Sequence, residues 1–553
     1  MMNDGQIAAA VAKVLEAYGA AADAPPPPSA EPAAVTRPLA TGQSAAGLIE
    51  QAIAKALAGG QPAPHVPDPA GCGWKAGAGK TAADDPIARI IAKVVGEQSL
   101  TPAAPAATVA APTDCGDGVF ATMDEAVEAS ALAQRQYLLC TMADRERFVQ
   151  GIRDVVLCPA TLETLARMAV EETGIGNVEH KLIKNRLAAE KTPGTEDLTT
   201  DAQSGDNGLT LVEYSPYGVI GAITPTTNPT ETIICNSIGM LAAGNSVVFS
   251  PHPRARKVSL LLVQLINRKL ADLGAPANLV VTVSKPSIEN TNALMAHPKV
   301  RMLVATGGPA IVKAVMSTGK KAIGAGAGNP PVVVDETADI EKAAKDIVNG
   351  CSFDNNVPCV AEKEIIAVDQ IADYLLFNLK KNGAYELTDP AQIAALQKVV
   401  LTDKGGPQTS CVGKSAVWLL DKIGIAADAS IKIIVMDVPK EHPFVQEELM
   451  MPILPLVRVK DVDEAIDVAV EVEHGNRHTA IMHSTNVRKL TKMAKLIQTT
   501  IFVKNGPSYA GLGAGGEGYS TFTIAGPTGE GLTSAKSFAR RRKCVMVEAL
   551  NVR

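Results

Sequence analysis

Apolar positions follow two different rules along this chain. From about Asp114 onward, compact apolar runs alternate with segments whose apolar residues recur at helical spacing. That is the pattern of a parallel α/β sheet covered on both faces. The spacing predicts helices over Met123–Cys140, Ala143–Leu157, Thr161–Thr173 and Arg254–Leu273, with strands near Val219, Val247, Val280, Met302 and Lys321. A second α/β unit is predicted from about Pro330. It opens with Val332-Val333-Val334-Asp335 and includes a helix over Asp339–Asn349 and a strand over Lys363–Val368. Two strand-like pieces, Leu209–Tyr214 and Lys543–Leu550, stand apart from both.

Residues 1–114 are instead rich in Ala, Pro and Gly, and Pro25–Pro28 and Pro102–Pro112 mark stretches expected to be extended and poorly ordered. Three short segments interrupt them at helical spacing: Ile7, Val11, Val14, Leu15 and Tyr18; Leu48, Ile49, Ile53, Ala56 and Leu57; Ile87, Ile90, Ile91, Val94 and Val95. Each carries an Ala-Lys pair (Lys13, Lys55, Lys93), so one amphipathic unit is used three times. Helices this short need a partner surface. Either they pack on the protein's own body or they dock into a groove on another protein, and the long linkers favour docking.

Composition narrows the function. At 553 residues the chain is too long for one core and should hold two or three domains. A formal charge of -6 argues against nucleic-acid binding, and 3% aromatic residues weaken a stacking-platform reading. No apolar run is long enough to span a bilayer, and Met1-Met2-Asn3-Asp4 is no secretory start, so no membrane partner is expected. The nine cysteines are scattered without paired spacing, which points to a reducing, cytoplasmic setting.

One of them stands out. Ser352-Phe353-Asp354-Asn355-Asn356-Val357-Pro358-Cys359 sets Cys359 in a turn between a predicted helix and a predicted strand, where its thiol would face a cleft. The thiolate is the attacking form, and a thiol so placed is open to activation by a lowered pKa. Three further segments fit the same chemistry. Val219–Pro229 is a strand running into a polar turn, where the Asn228 amide suits an oxyanion hole. A second strand stops at Ser250-Pro251-His252. A third meets Thr306-Gly307-Gly308 and then a helix over Ala310–Thr318, a place for a dinucleotide's phosphates.

With these motifs in this order, residues 115–553 resemble the CoA-acylating branch of the aldehyde dehydrogenase superfamily. The resemblance implies two doubly wound α/β domains plus a small oligomerisation sheet. A dinucleotide-binding domain would span 115–194 and 216–328, a catalytic domain 329–537, and oligomerisation strands 195–215 and 538–553. It implies Cys359 as nucleophile, and Asn228 with the Cys359 backbone N–H as the oxyanion hole. Thr224, Pro225, Thr226, Ser250, His252, Thr306, Gly307, Gly308 and Gly326 would contact the dinucleotide. Glu448, second in Glu447-Glu448-Leu449-Met450-Met451-Pro452, would hold the nicotinamide-side ribose. The linked N-terminal helices resemble encapsulation peptides, implying a microcompartment shell protein as partner and a place inside that compartment. A homodimer or homotetramer is expected.

The departures sharpen the expectation. Hydrolytic relatives carry a glutamate before a Gly-Gly turn, whereas Ala322–Pro330 holds no acid or base. General-base help is worth about 10²–10⁴-fold, and CoA needs less of it because its thiol already supplies some thiolate near neutral pH. Acyl transfer to CoA is therefore favoured over release of a free acid. Ser250-Pro251-His252 lacks the lysine that many relatives use on the adenosine ribose. NAD is favoured over NADP by the absence of a basic cluster, with Arg254 and Arg256 in tension with that choice. The expected reaction is NAD-dependent oxidation of a short, propionaldehyde-like aldehyde to acyl-CoA. The rivals are a hydrolytic aldehyde dehydrogenase and a shell-associated scaffold with a vestigial catalytic fold.

Other signals are set aside. Gly77-Ala78-Gly79-Lys80-Thr81 is out of register for a phosphate loop. Gly511-Leu512-Gly513-Ala514-Gly515-Gly516 is expected to be a mobile loop near the substrate mouth. His474, His478 and His483 are read as structural or substrate-loop residues and not as metal ligands, and no metal is expected. Cys351 and Cys235 are read as packing, and Asn228 has a bland alternative as a helix cap.

Overall fold

The computed structural model describes residues 109–552. The three amphipathic segments and the Gly77–Thr81 motif lie outside the described residues.

Two parallel sheets dominate. The first has six strands in the order Val119–Phe120, Val280–Val283, Ser246–Pro251, Val219–Thr224, Val300–Thr306, Lys321–Ala325. The second has seven, ordered Ala384–Glu386, Ile433–Asp437, Ile453–Val459, Glu364–Val368, Pro331–Val334, Thr479–His483, Ile501–Lys504. Every pairing within both is parallel. The central strands read as unbroken apolar runs because helices cover both faces, and Val219–Thr224 and Ser246–Pro251 are buried at every position. Gly221 is required for this closeness, since a Cβ there would lie 3.0 Å from Leu294 and Leu303 side-chain carbons.

Helices begin where the chemistry says they should. Met123–Tyr137 and Met142–Leu157 each open on a threonine capping box, and Pro159 and Pro229 start Pro159–Thr173 and Pro229–Ala242. The first helix ends three residues before the predicted Cys140. Leu138 and Leu139 prolong the apolar pattern but are solvent-exposed.

The two isolated strand-like pieces meet in a three-stranded antiparallel sheet, ordered Ala539–Val547, Gly208–Pro216, Asp201–Gly205. The C-terminal strand starts four residues earlier than Lys543, at Ala539, and takes in the Arg540–Arg542 run. Its side chains are exposed almost throughout, so apolar alternation does not mark its start. Among the described residues no helix is long and apolar enough to cross a membrane.

Candidate active site

In the first sheet the chain runs from strand Val219–Thr224 outward through Ser246–Pro251, then returns to its other side as Val300–Thr306. That reversal leaves a crevice at the carboxyl ends of these strands, the usual ligand position in such sheets. The second sheet turns the opposite ends of its strands toward the same space. Cys359 lies just before Glu364–Val368, Glu448 before Ile453–Val459, and His478 directly before Thr479–His483. The result is one cavity of about 790 Å³ walled from both sides.

All twelve residues picked from the sequence line it. Thr224, Pro225, Thr226 and Asn228 come from the turn after the first sheet's central strand, Ser250 and His252 from the next. Thr306, Gly307, Gly308 and Gly326 follow two further strands, and Cys359 and Glu448 complete the set. A Cβ at Gly308 would meet nothing within 4 Å, so its backbone opens directly onto the cavity at the start of helix Pro309–Met316. This is a cradle that fits a dinucleotide's phosphates. Arg256, one of the two basic residues near His252, is paired with the Ser284 carbonyl and Asp114.

The turn carrying Cys359 is locally strained. Asp354, Asn355 and Asn356 are consecutive left-handed residues with φ of 50°, 56° and 65°. Asp and Asn tolerate this region better than most side chains, and here each is tied down. The Asp354 N–H donates to His180 Nδ1 at 2.8 Å, and Asn355 Nδ2 to the Gly413 carbonyl at 2.9 Å. Asn356 Nδ2 bonds the Cys351 and Glu362 carbonyls at 3.0 and 2.9 Å, while its Oδ1 accepts from Lys363 Nζ at 2.6 Å. The chain thus doubles back before Cys359.

The thiol at rest is not a thiolate. Burial, and then the Glu448 carboxylate, push Cys359 up to about 12, with Lys363 pulling the other way. The turn does not lower its pKa as the exposed placement suggested. Cys351 is fully buried, raised further by burial, and receives Asn356 Nδ2 at 3.3 Å. Cys235 is likewise packed and raised to about 12 by burial.

Asn228 is the N-cap of Pro229–Ala242, yet its side chain makes no capping hydrogen bond. Its Oδ1 accepts from Lys184 Nζ at 2.6 Å, and its Nδ2 has only a long contact to Thr227 Oγ1 at 3.4 Å. Lys184 belongs to a buried cluster with Lys181, Glu231 and Asp354 that sequence reasoning missed. The available signal was helical spacing. Lys181 and Lys184 share the face on which helix Val178–Lys191 buries Leu187 and Ala188.

His478 was read from the sequence as a structural or substrate-loop residue. It is 1% exposed yet lines the cavity, its Nδ1 bonds Thr479 Oγ1 at 2.9 Å, and its Nε2 has no protein partner. Burial and then Lys363 bring it down to about 4, so it is neutral at physiological pH. A Cβ at Gly328 would lie 2.8 Å from His478 Cγ and 3.1 Å from the Cys359 carbonyl oxygen. Where hydrolytic relatives were expected to hold a glutamate, the chain is pressed between this ring and the cysteine. The Gly511–Gly516 turn does not line the cavity. Lys191 Nζ holds it through the Gly513 and Gly516 carbonyls at 2.6 and 3.2 Å.

The chain belongs to the aldehyde dehydrogenase family, whose model matches residues 98–533. It is 50% identical over 465 residues to the propanal dehydrogenase (CoA-propanoylating) of Salmonella typhimurium, covering 84% of this chain and 98% of that one. Its fold matches the Rhodopseudomonas palustris propionaldehyde dehydrogenase solved with bound CoA and an acylated cysteine. The TM-score is 0.79 at 86% identity, over 79% of this chain and 100% of the other. A propionaldehyde dehydrogenase from the Clostridium phytofermentans fucose utilisation bacterial microcompartment matches at 55% identity and TM-score 0.77, over 79% and 100%.

Proposed function

We propose that this protein oxidises short aliphatic aldehydes, propanal foremost, to their CoA thioesters with a nicotinamide dinucleotide, NAD by preference. The observation that carries the reading is a single cavity that joins Asn228, Cys359 and Glu448 to a phosphate cradle, with no acid in the Gly324–Gly328 stretch. The names of the Salmonella and Rhodopseudomonas relatives support it.

Cys359 sulfur, once deprotonated, adds to the aldehyde carbon, and the carbonyl oxygen becomes an oxyanion held by Asn228 Nδ2 and the Cys359 N–H. A bound dinucleotide supplies the hydride acceptor, and collapse of the oxyanion leaves an acyl-thioester on Cys359. His478 lines the same cavity with a neutral imidazole, and in the tautomer whose Nδ1 donates to Thr479 Oγ1 its Nε2 is a base for the thiol proton of Cys359 or of incoming CoA. Thiolysis by CoA breaks the Cys359 thioester, releases acyl-CoA and returns the Cys359 sulfur. Engagement of Arg256 by Asp114 and Ser284 favours NAD, since a 2′-phosphate would need a cation there.

Glu448 beside Cys359 favours one second reading, in which this carboxylate activates water and a free acid forms. The deciding experiment measures products with and without CoA. Acyl-CoA formation supports thiolysis, and sustained free acid without CoA supports hydrolysis.

The exposed three-stranded sheet, with Val545, Met546 and Val547 open to solvent, is the surface assigned to a homodimer or homotetramer. The N-terminal segments are assigned to a microcompartment shell protein, as the Clostridium relative's origin suggests. Co-purification of shells with full-length and 1–108-deleted chains tests this, and equal recovery overturns it.

A further inference from the structure

We infer that Lys184 is a positioning residue for the oxyanion hole: it fixes which end of the Asn228 amide faces the cavity. The inference rests on the proposed role of Asn228 and extends it. A lysine ammonium has only donors, so the Asn228 atom 2.6 Å from Lys184 Nζ must be the oxygen. The amide nitrogen is therefore turned away from Lys184, and its one protein contact is the 3.4 Å approach to Thr227 Oγ1. Without Lys184 the amide has two near-equivalent orientations, and the flipped one would present a carbonyl oxygen to a developing anion.

Four further contacts make the arrangement rigid. Lys184 Nζ is itself held between Asp354 at 2.6 Å and Glu231 at 3.0 Å, and all three side chains are fully buried. Lys181, one helical turn earlier, bonds Asp354 at 3.0 Å and the Thr227 carbonyl at 2.6 Å, so the residue before Asn228 is clamped too. Asp354 opens the left-handed turn that leads to Cys359. One buried cluster of two ammonium and two carboxylate groups therefore grips both the donor's turn and the nucleophile's turn. Burial disfavours each charge, but Asp354 and Glu231 more than reverse this for Lys184, which stays protonated and keeps polarising the amide.

The test uses the full chain. Turnover, the KM for each substrate and the thermal midpoint are measured for Lys184→Met and for Lys184→Met/Glu231→Gln. The second variant removes one ion pair while leaving the cluster neutral. Each is made alone and on an Asn228→Ala background, forming a double-mutant cycle. Alone, each folded variant should lose about 10- to 10²-fold in kcat while the KM for NAD moves less than about two-fold. On Asn228→Ala neither should cost anything more. Wild-type kcat in a folded Lys184 variant overturns the inference, and so does an equal loss on the Asn228→Ala background. Failure of both variants to fold makes the cluster purely structural and overturns it as well. Normal turnover of Asn228→Ala alone instead removes the oxyanion reading itself.

Discussion

The carboxylate of Glu448 stands close enough to Cys359 to oppose formation of its thiolate, and with burial it holds the thiol up to about 12. The nucleophile thus rests as its unreactive thiol. In the ligand-free enzyme, alkylation of Cys359 by iodoacetamide should rise about ten-fold per pH unit from pH 7 to pH 10 without a plateau. Glu448→Gln removes the second contributor and should speed alkylation at any pH in that window. Peptide mapping of the labelled protein checks both. A plateau near pH 7 would show a thiolate already formed at rest.

Cys359→Ala should abolish aldehyde oxidation while dinucleotide binding, read by fluorescence titration, stays near normal. Cys351→Ala should keep most activity and lose some thermal stability, since Cys351 is completely buried and bonded to Asn356. An inactive Cys351 variant would reassign the nucleophile.

Mixing enzyme, NAD and propanal without CoA should give a burst of about one NADH per site and then slow turnover. Stopped-flow absorbance at the NADH band reads the amplitude. Linear production from the first turnover would mean that water deacylates Cys359 freely.

His483 is buried at the end of strand Thr479–His483, and burial followed by Lys342 brings its imidazole down to about 3. Its folded pKa lies below its unfolded value, so its contribution is intact above about pH 6.5. That contribution is lost as pH falls, because the unfolded chain takes up the proton first. Between pH 7 and pH 5 the wild type should lose about 2 kcal/mol that His483→Gln does not. Urea titrations of both proteins at the two pH values check this, and parallel losses would refute it.

Much of this was legible in the sequence, for reasons particular residues make clear. Strand ends at Thr224, Pro251 and Thr306 were readable because Pro and Gly stop an apolar run, and in a parallel sheet those ends converge. Cys359 was readable because Asp354-Asn355-Asn356 cannot continue a helix, and the structure indeed turns there through left-handed backbone. Its protonation state was not, since that depends first on burial and then on Glu448, a neighbour only in space. The Lys181, Lys184, Glu231 and Asp354 cluster left one signal, the helical spacing of Lys181 and Lys184, but its charge pairing was illegible for the same reason. Each residue alone reads as solvated surface, and only the fold shows that each has a buried opposite charge. His478 was read as a structural or substrate-loop residue, and its enclosure beside Gly328 at the cavity is set by neighbours distant in the chain.

The antiparallel sheet built from Asp201–Gly205, Gly208–Pro216 and Ala539–Val547 has a consequence for how the chain is made. Asp201 and Arg541 face each other across it although 340 positions separate them. During synthesis the hairpin of residues 201–216 must wait, with one edge unpaired, until both large sheets have been translated. Its Leu209 and Leu211 then belong to an open strand on a growing chain, a template that neighbouring chains on the same message could join. Closing so distant a pairing is also slow. Strand Ala539–Val547 therefore seals this sheet long after the hairpin is made, and its delay sets the interval during which misassembly can compete.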